Sequence, residues 1–396
     1  MNVVNQRQAL QRAILKGINK QDAYHPFPWY ESMRRESPVH YDEENQVWSV
    51  FLYEDVKKII GDKNAFSNYV KQQANSLGNS IINMDPPRHT QIRSVVNKAF
   101  TPRVLKQWES RIQGITDDLI DRLLGSQEFD LVQDFSYPLP VVVISELLGV
   151  PSEYMDQFKK WSDILVSTPK DGSEEAEKAF QEERNKCEQE LAAFFAAIIE
   201  EKRKQPAEDL ISILIKAEEE GEKLSEDELI PFCNLLLVAG NETTTNLISN
   251  AMYSILDMPG AYDELRDDPA LIPQAVEEAL RFRAPAPILR RIAKQDVEIR
   301  GHLIREGDMV LAFVASANRD EAKFEQAHIF DIHRHPNPHI AFGHGNHFCL
   351  GAPLARLEAQ IALKALTNAF PGMERISISP IANSVIYGLK SFRVKV

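Results

Sequence analysis

Ten residues near the C-terminus, Phe342-Gly343-His344-Gly345-Asn346-His347-Phe348-Cys349-Leu350-Gly351, constrain this chain more than any other stretch. They place one thiol in a loop held by three glycines, just ahead of a segment of strong helical character, Ala352 to Phe370. Glycine opens positive φ to the backbone and lets a flat ligand lie against it. A helix that starts just past the sulfur offers N–H groups and a positive dipole end, and both favour thiolate over thiol. The fold must therefore present this sulfur to something planar.

With 396 residues the chain can bury a large core, and 43% hydrophobic with 26% charged residues is globular composition. A net charge of −13 argues against general binding to nucleic acid or to an anionic membrane, and leaves room for a local basic patch. Cys187, Cys233 and Cys349 are odd in number and far apart, which fits a reducing compartment rather than a disulfide framework. Met1 to Lys20 is polar, with helical spacing through Leu10, Ile14 and Ile18 and no apolar signal-peptide core. No uncharged apolar run is long enough to span a bilayer. The expectation is a soluble, cytoplasmic protein.

No internal repeat or low-complexity linker divides the sequence, so one domain over residues 1–396 is expected. Pro38 to Tyr41 and Val47 to Val50 read as short strands, and Tyr53 to Ile60 as a helix. Helical signals dominate from Arg88 to about Leu280. Ser225-Glu226-Asp227-Glu228 forms a capping box before the apolar run Leu229 to Val238, inside a long helix from about Leu224 to Leu256. Val297 to Ile299, Met309 to Leu311 and Phe392 to Val394 read as strands, with turns at Gly301 and Gly307. The fold class is mainly α with small peripheral β-sheets.

The spacing Phe-Gly-x-Gly-x-His-x-Cys-x-Gly resembles the haem-binding loop of the cytochrome P-450 family, and the resemblance runs over essentially the whole chain. It implies a triangular, prism-like single domain that binds haem b, with Cys349 as the axial iron ligand. Phe342, Gly343 and Gly351 would then lie against the haem, and His347 would contact a propionate. A lone Gly-x-Gly would fit an ordinary glycine turn beside a free cysteine equally well. Three further motifs agree with the haem reading.

The first is Ala239-Gly240-Asn241-Glu242-Thr243-Thr244. Gly240 and three consecutive threonines are poor helix formers, so the long helix is weakened at its middle. Thr243 can bond back to the carbonyl of Ala239 and bend it. The resemblance makes Ala239 and Gly240 part of the haem and O2 groove, and Glu242 and Thr243 its acid–alcohol pair for proton delivery. The second is Glu278 and Arg281, three apart on a helix. By resemblance Arg334 joins them in a structural network. The third is the set of propionate partners, His89 and Arg93 on one helix face and Arg291 on a strand, since buried carboxylates need donors or cations. Arg290 is adjacent, and only the resemblance chooses between the two arginines. The histidines His328, His333, His335, His339, His344 and His347 follow no zinc spacing.

The segments that would line a substrate cavity are aliphatic and include Ile82, Val238, Ala239, Ile288, Leu289 and Ile386, with Ile81 and Val385 beside them. By resemblance these segments form the pocket, which binds by area and shape, and the likeness to soluble Bacillus-type members of the family implies a fatty acid, steroid or terpenoid. The resemblance implies a monooxygenase that uses O2, is a monomer, and contains no fused reductase. Electrons would come from NAD(P)H through a separate ferredoxin or flavodoxin and its reductase, docking near His344, Arg356, Arg103, Lys106 and Arg111. Two other classes remain, a peroxygenase that uses H2O2 and a non-catalytic haem sensor or electron carrier.

Overall fold

The helix Glu226–Asp257 sends apolar side chains in every direction, among them Leu229, Phe232, Leu237, Leu247, Ile248 and Met252, all buried. A helix apolar all round has to be enclosed by others. It packs against the helices Pro138–Leu147, Met155–Val166, Glu174–Lys204, Ile272–Phe282 and Ala352–Ala369. The computed structural model describes residues 24–69, 80–166, 173–219, 226–381 and 386–396. Ser225 of the expected capping box, Val385 and the stretch Met1 to Lys20 lie outside them.

Polar side chains on the central helix are buried too, and two of them fasten neighbouring elements. Asn246 donates to the carbonyl of Glu242 and accepts from the Leu389 N–H. Asn250 donates to the carbonyls of Arg283 and Tyr387 and accepts from the Tyr24 hydroxyl. Satisfied in this way, buried amides fix one arrangement of the elements they join. Gly388 shows how close the approach is: a Cβ there would stand 1.6 Å from Asn246 Oδ1.

The strands are few in residues and gather into three small sheets. β1 (Val39–Asp42), β2 (Val47–Val50), β3 (Phe66–Ser67), β5 (Leu289–Ala293) and β8 (Met309–Ala312) form one sheet in the order β1-β2-β8-β5-β3. β2 and β8 run parallel, with Val47 opposite Met309. β5 is antiparallel to β8, with Leu289 opposite Ala312. β4 (Glu128–Asp130), β9 (Glu374–Pro380) and β10 (Leu389–Lys395) form a second sheet in the order β4-β10-β9. β6 (Val297–Ile299) and β7 (His302–Ile304) make a hairpin. The mainly α class with small sheets is therefore as expected, and no helix among the described residues is long and apolar enough to cross a membrane.

Candidate functional site

Gly343 and Gly345 hold φ of +76° and +73°, which a side chain would oppose. At Gly345 a Cβ would also stand 3.0 Å from Gly61 Cα, so loop and helix Tyr53–Gly61 touch backbone to backbone. The Cys349 N–H donates to the Phe342 carbonyl at 2.8 Å and closes the loop. Helix Ala352–Ala369 begins just beyond. Burial pushes the Cys349 thiol up, while the N–H groups of Gly351 and Ala352 and the cations Arg93 and Arg356 pull it down. Burial wins, so a lasting thiolate here needs a directly bound cation. Cys349 is nonetheless exposed, and the two observations agree because its free face is toward a cavity that it lines.

That cavity has a volume of about 320 Å³. Ile81, Ile144, Phe232, Leu236, Leu247 and Leu289 supply much of its apolar wall, with Ile82 at an exposed position. Ala239, Gly240, Phe342, Gly343 and Gly351 line it as well. Its polar end is rich in nitrogen. His89 and His347 stand 4.0 Å apart between ring centres, Arg93 lies beside His89 on helix Arg88–Val96, and His89 Nδ1 is buried with no hydrogen-bond partner among the described residues. Burial, His89 and Arg291 together push His347 down to about 3. Burial likewise pushes Arg291 down to about 10, with Asp85 opposing. A corner that depresses its own cations is suited to anions. The donor set therefore fits haem: one thiol beneath an apolar slot, and donors for two carboxylates at its edge.

Strand alternation separates the two adjacent arginines. Period two puts Leu289 and Arg291 on one face of β5 and Arg290 on the other. Leu289 lines the cavity, and Arg291 borders a smaller pocket that shares His347 with it. Ile288, expected at the cavity, instead packs against the buried cluster of Tyr30, Val47, Phe51, Leu311, Phe313 and Ala315 and does not line the cavity. Val238 is turned into the helical core, and Ile386 is half-buried without lining the cavity.

The central helix divides the acid from the alcohol. Thr243 Oγ1 donates back to the Ala239 carbonyl at 2.6 Å, as the spacing predicts, and Thr243 and Thr244 both line the cavity. Glu242 is buried and does not line it. Burial, with Asp163 adding to it, pushes the Glu242 carboxyl up to about 7. Tyr137 stands near Glu242, and its hydroxyl donates to Asp163, which is exposed, at 3.1 Å. Gly240 keeps the helix close to Ile144, where a Cβ would sit at 3.4 Å.

Behind the Cys349 loop, Glu278 and Arg281 are both fully buried and joined by bonds of 2.8 and 2.7 Å. Arg281 also donates to the carbonyls of Asn318, Ala327 and Ile329. Glu278 accepts from Arg334, Asn337 and the Asp331 N–H. Two guanidiniums share the Glu278 carboxylate and spend their remaining donors on backbone carbonyls, which suits a brace rather than a reacting group.

Two acids escaped the sequence reading. Glu277 binds Arg356 at 2.6 and 2.8 Å and His339 at 3.0 Å. Burial would raise its carboxyl, but these partners prevail and hold it at about 2. Arg356 is thus committed to Glu277, and Arg111 likewise to Glu146. Lys106 and His344 are exposed, and the Arg103 side chain is outside the described residues. The second acid, Glu358, is buried and lines the cavity. Its only sequence signal was a carboxylate on the apolar face of the helix after Cys349.

Residues 37–371 match the family model for cytochrome P450. The chain is 78% identical over 395 residues to YjiB of Bacillus subtilis (strain 168), covering 100% of both. It is similar to the crystal structure of the versatile cytochrome P450 enzyme CYP109B1 from Bacillus subtilis, with a TM-score of 0.89, 77% identity and coverage of 95% of this chain and 100% of that one. It is also similar to CYP109E1 from Bacillus megaterium in complex with testosterone, with a TM-score of 0.91, 45% identity and coverage of 95% and 99%.

Proposed function

The chain belongs to the cytochrome P450 family of haem-thiolate monooxygenases, and on that premise we propose that it hydroxylates an apolar small molecule, a steroid, fatty acid or terpenoid, in the cavity above Cys349. The observation that carries this reading is one cavity with a glycine-held cysteine, an aliphatic wall and a nitrogen-rich edge. Haem bound there supplies activation of O2, and its thiolate donates electron density that favours O–O cleavage.

The rest falls to the chain. Cys349 Sγ would hold the haem iron, and the N–H groups of Gly351 and Ala352 that reach the sulfur would temper its donor strength. His89, Arg93, His347 and Arg291 would hold the propionates, which would give His89 Nδ1, without a partner among the described residues, an acceptor. Aliphatic side chains exclude water and bind substrate by area. Thr243, which lines the cavity with its Oγ1 bonded back to the Ala239 carbonyl, presents the hydroxyl of the pair, and Glu242, whose carboxyl burial raises to about 7, passes protons from the side of Tyr137 and Asp163. Residues 1–396 act as one catalytic unit, a cytoplasmic monomer served by NAD(P)H through a ferredoxin or flavodoxin and its reductase. The testosterone complex of CYP109E1 supports a steroid as the first substrate to try.

The test is turnover of testosterone, a long-chain fatty acid and a terpenoid with a surrogate ferredoxin and reductase, analysed by mass spectrometry. Hydroxylated product that needs NADPH and the redox partners supports the reading. Product formed equally well with H2O2 alone would favour a peroxygenase, and no product from any class would contradict it.

A further inference from the structure

Glu358 has no part in the function just described, yet its position is unusual. It is 3% exposed, lines the same cavity as Cys349, and its Oε2 has no hydrogen-bond partner among the described residues. Leu354 and Ala355, about one turn earlier, line the cavity too, so one face of helix Ala352–Ala369 leads from the sulfur to this carboxyl. Pro102–Leu123, Glu226–Asp257, Ala261–Asp267 and Ile272–Phe282 pack against that helix. No charged group on these helices acts on the Glu358 carboxyl among the described residues, since burial is the only influence on it. The acids of Ile272–Phe282 are held elsewhere, Glu278 by Arg281 and Arg334, Glu277 by Arg356 and His339. The other titratable groups that line the cavity are Cys349, His89, Arg93 and His347.

A carboxylate with no counter-ion in such a place is costly, so the neutral acid is favoured. Burial alone pushes this carboxyl up to about 8. A charge change elsewhere in the same low-dielectric cavity must then alter how readily it ionises.

We propose that Glu358 is a redox-linked proton site of the haem pocket, keeping its proton while the iron is reduced and releasing it more readily when the iron is oxidised. The inference rests on the assignment of the cavity to haem. Its balance is simple. Where Glu358 is ionised, one electron delivered by the ferredoxin or flavodoxin is accompanied by one proton from solvent, which converts the carboxylate to the acid. Reoxidation returns both. At neutral pH the acid is already formed, and the first electron meets no buried negative charge from this residue.

The experiment is spectroelectrochemical titration of the haem-loaded protein from roughly pH 6 to 10. The reduction potential of the wild type should be level around neutral pH, where Glu358 keeps its proton, and should bend near 8, where burial places the midpoint of its ionisation. Above that it should fall by up to about 59 mV per pH unit, the one-electron equivalent of a tenfold change. Glu358→Gln should remove the fall. Glu358→Met, which needs no polar partner, should remove it too and serves where the glutamine variant does not take up haem. A wild-type potential that stays level to the alkaline limit overturns the proposal, as does a slope that persists in either variant. Each sample is first checked for the cysteinate band of its reduced carbon-monoxide complex. Absence of the band removes the haem assignment, and its presence with a level titration removes this inference alone.

Discussion

Thr243 and Glu242 are neighbours in sequence but face different surroundings, one the cavity and one the Tyr137–Asp163 side of the helix. Thr243→Ala should keep haem and substrate binding but lower product formed per NADPH, with H2O2 rising to match. Unchanged coupling would remove the hydroxyl from the proton path. Glu242 carries a pH dependence of its own. Its carboxyl moves from an ordinary 4.5 to about 7 on folding, so between those values the folded chain keeps a proton that the unfolded chain releases. Its contribution to stability is therefore complete below the lower value and lost as pH rises through about 7. Glu242→Gln should flatten that part of a denaturation-versus-pH curve. The same variant should lower coupling at neutral pH, because an amide cannot donate and recover a proton. Leu289 and Ile288 offer a paired comparison, since only Leu289 lines the cavity. Leu289→Ala should redistribute the sites of hydroxylation by an amount equivalent to about 1–3 kcal/mol, whereas Ile288→Ala should leave the product pattern unchanged and lower stability. Product ratios by chromatography decide it, and a shift in the Ile288 variant alone would reverse the assignment.

Among the elements, those that gave a strong periodic signal were legible and those set by pairing were not. The central helix could be read because its apolar run is long and the weakening at Gly240 falls inside it. The cysteine loop could be read because its glycines sit where positive φ is required. β5 gave no periodic signal of its own: two adjacent arginines in Leu289-Arg290-Arg291-Ile292-Ala293 mask the apolar alternation, and only the resemblance put Arg291 on a strand. β9 was hidden because it is mostly exposed and held by pairing with β10, and β4 because three residues are too few to show a period. At the site, the cysteine and its glycines followed from local chemistry, whereas Glu277 and Glu358 gain their meaning from partners, or the lack of them, far away in sequence. The buried brace makes a sharp element-scale prediction. Removing one member strands the other charges, at a cost of about 3–5 kcal/mol. Glu278→Ala should thus lower the thermal midpoint and the yield of haem-loaded protein far more than Arg266→Ala, which removes only a surface pair. Equal stability of the two variants, followed by thermal melts, would contradict the role given to the network.

For the molecule as a whole, one helix enclosed by five others leaves a slot between itself and the cysteine loop. One strand of the five-stranded sheet, β5, carries Leu289 and Arg291 to the rim of that slot. Acidic overall charge and paired surface arginines do not define a substrate, and the aliphatic wall defines only a class. The account depends most on the sulfur. The most direct measurement is the carbon-monoxide difference spectrum of the reduced, haem-loaded protein, taken for the wild type and for Cys349→Ala, Cys187→Ala and Cys233→Ala. Cys187 and Cys233 are buried in the core, away from the cavity, and burial pushes both thiols up. The long-wavelength band of cysteinate ligation should therefore appear in the wild type and in both of those variants and vanish in Cys349→Ala. A Cys349→Ala spectrum indistinguishable from the wild type would contradict the assignment on which the rest stands.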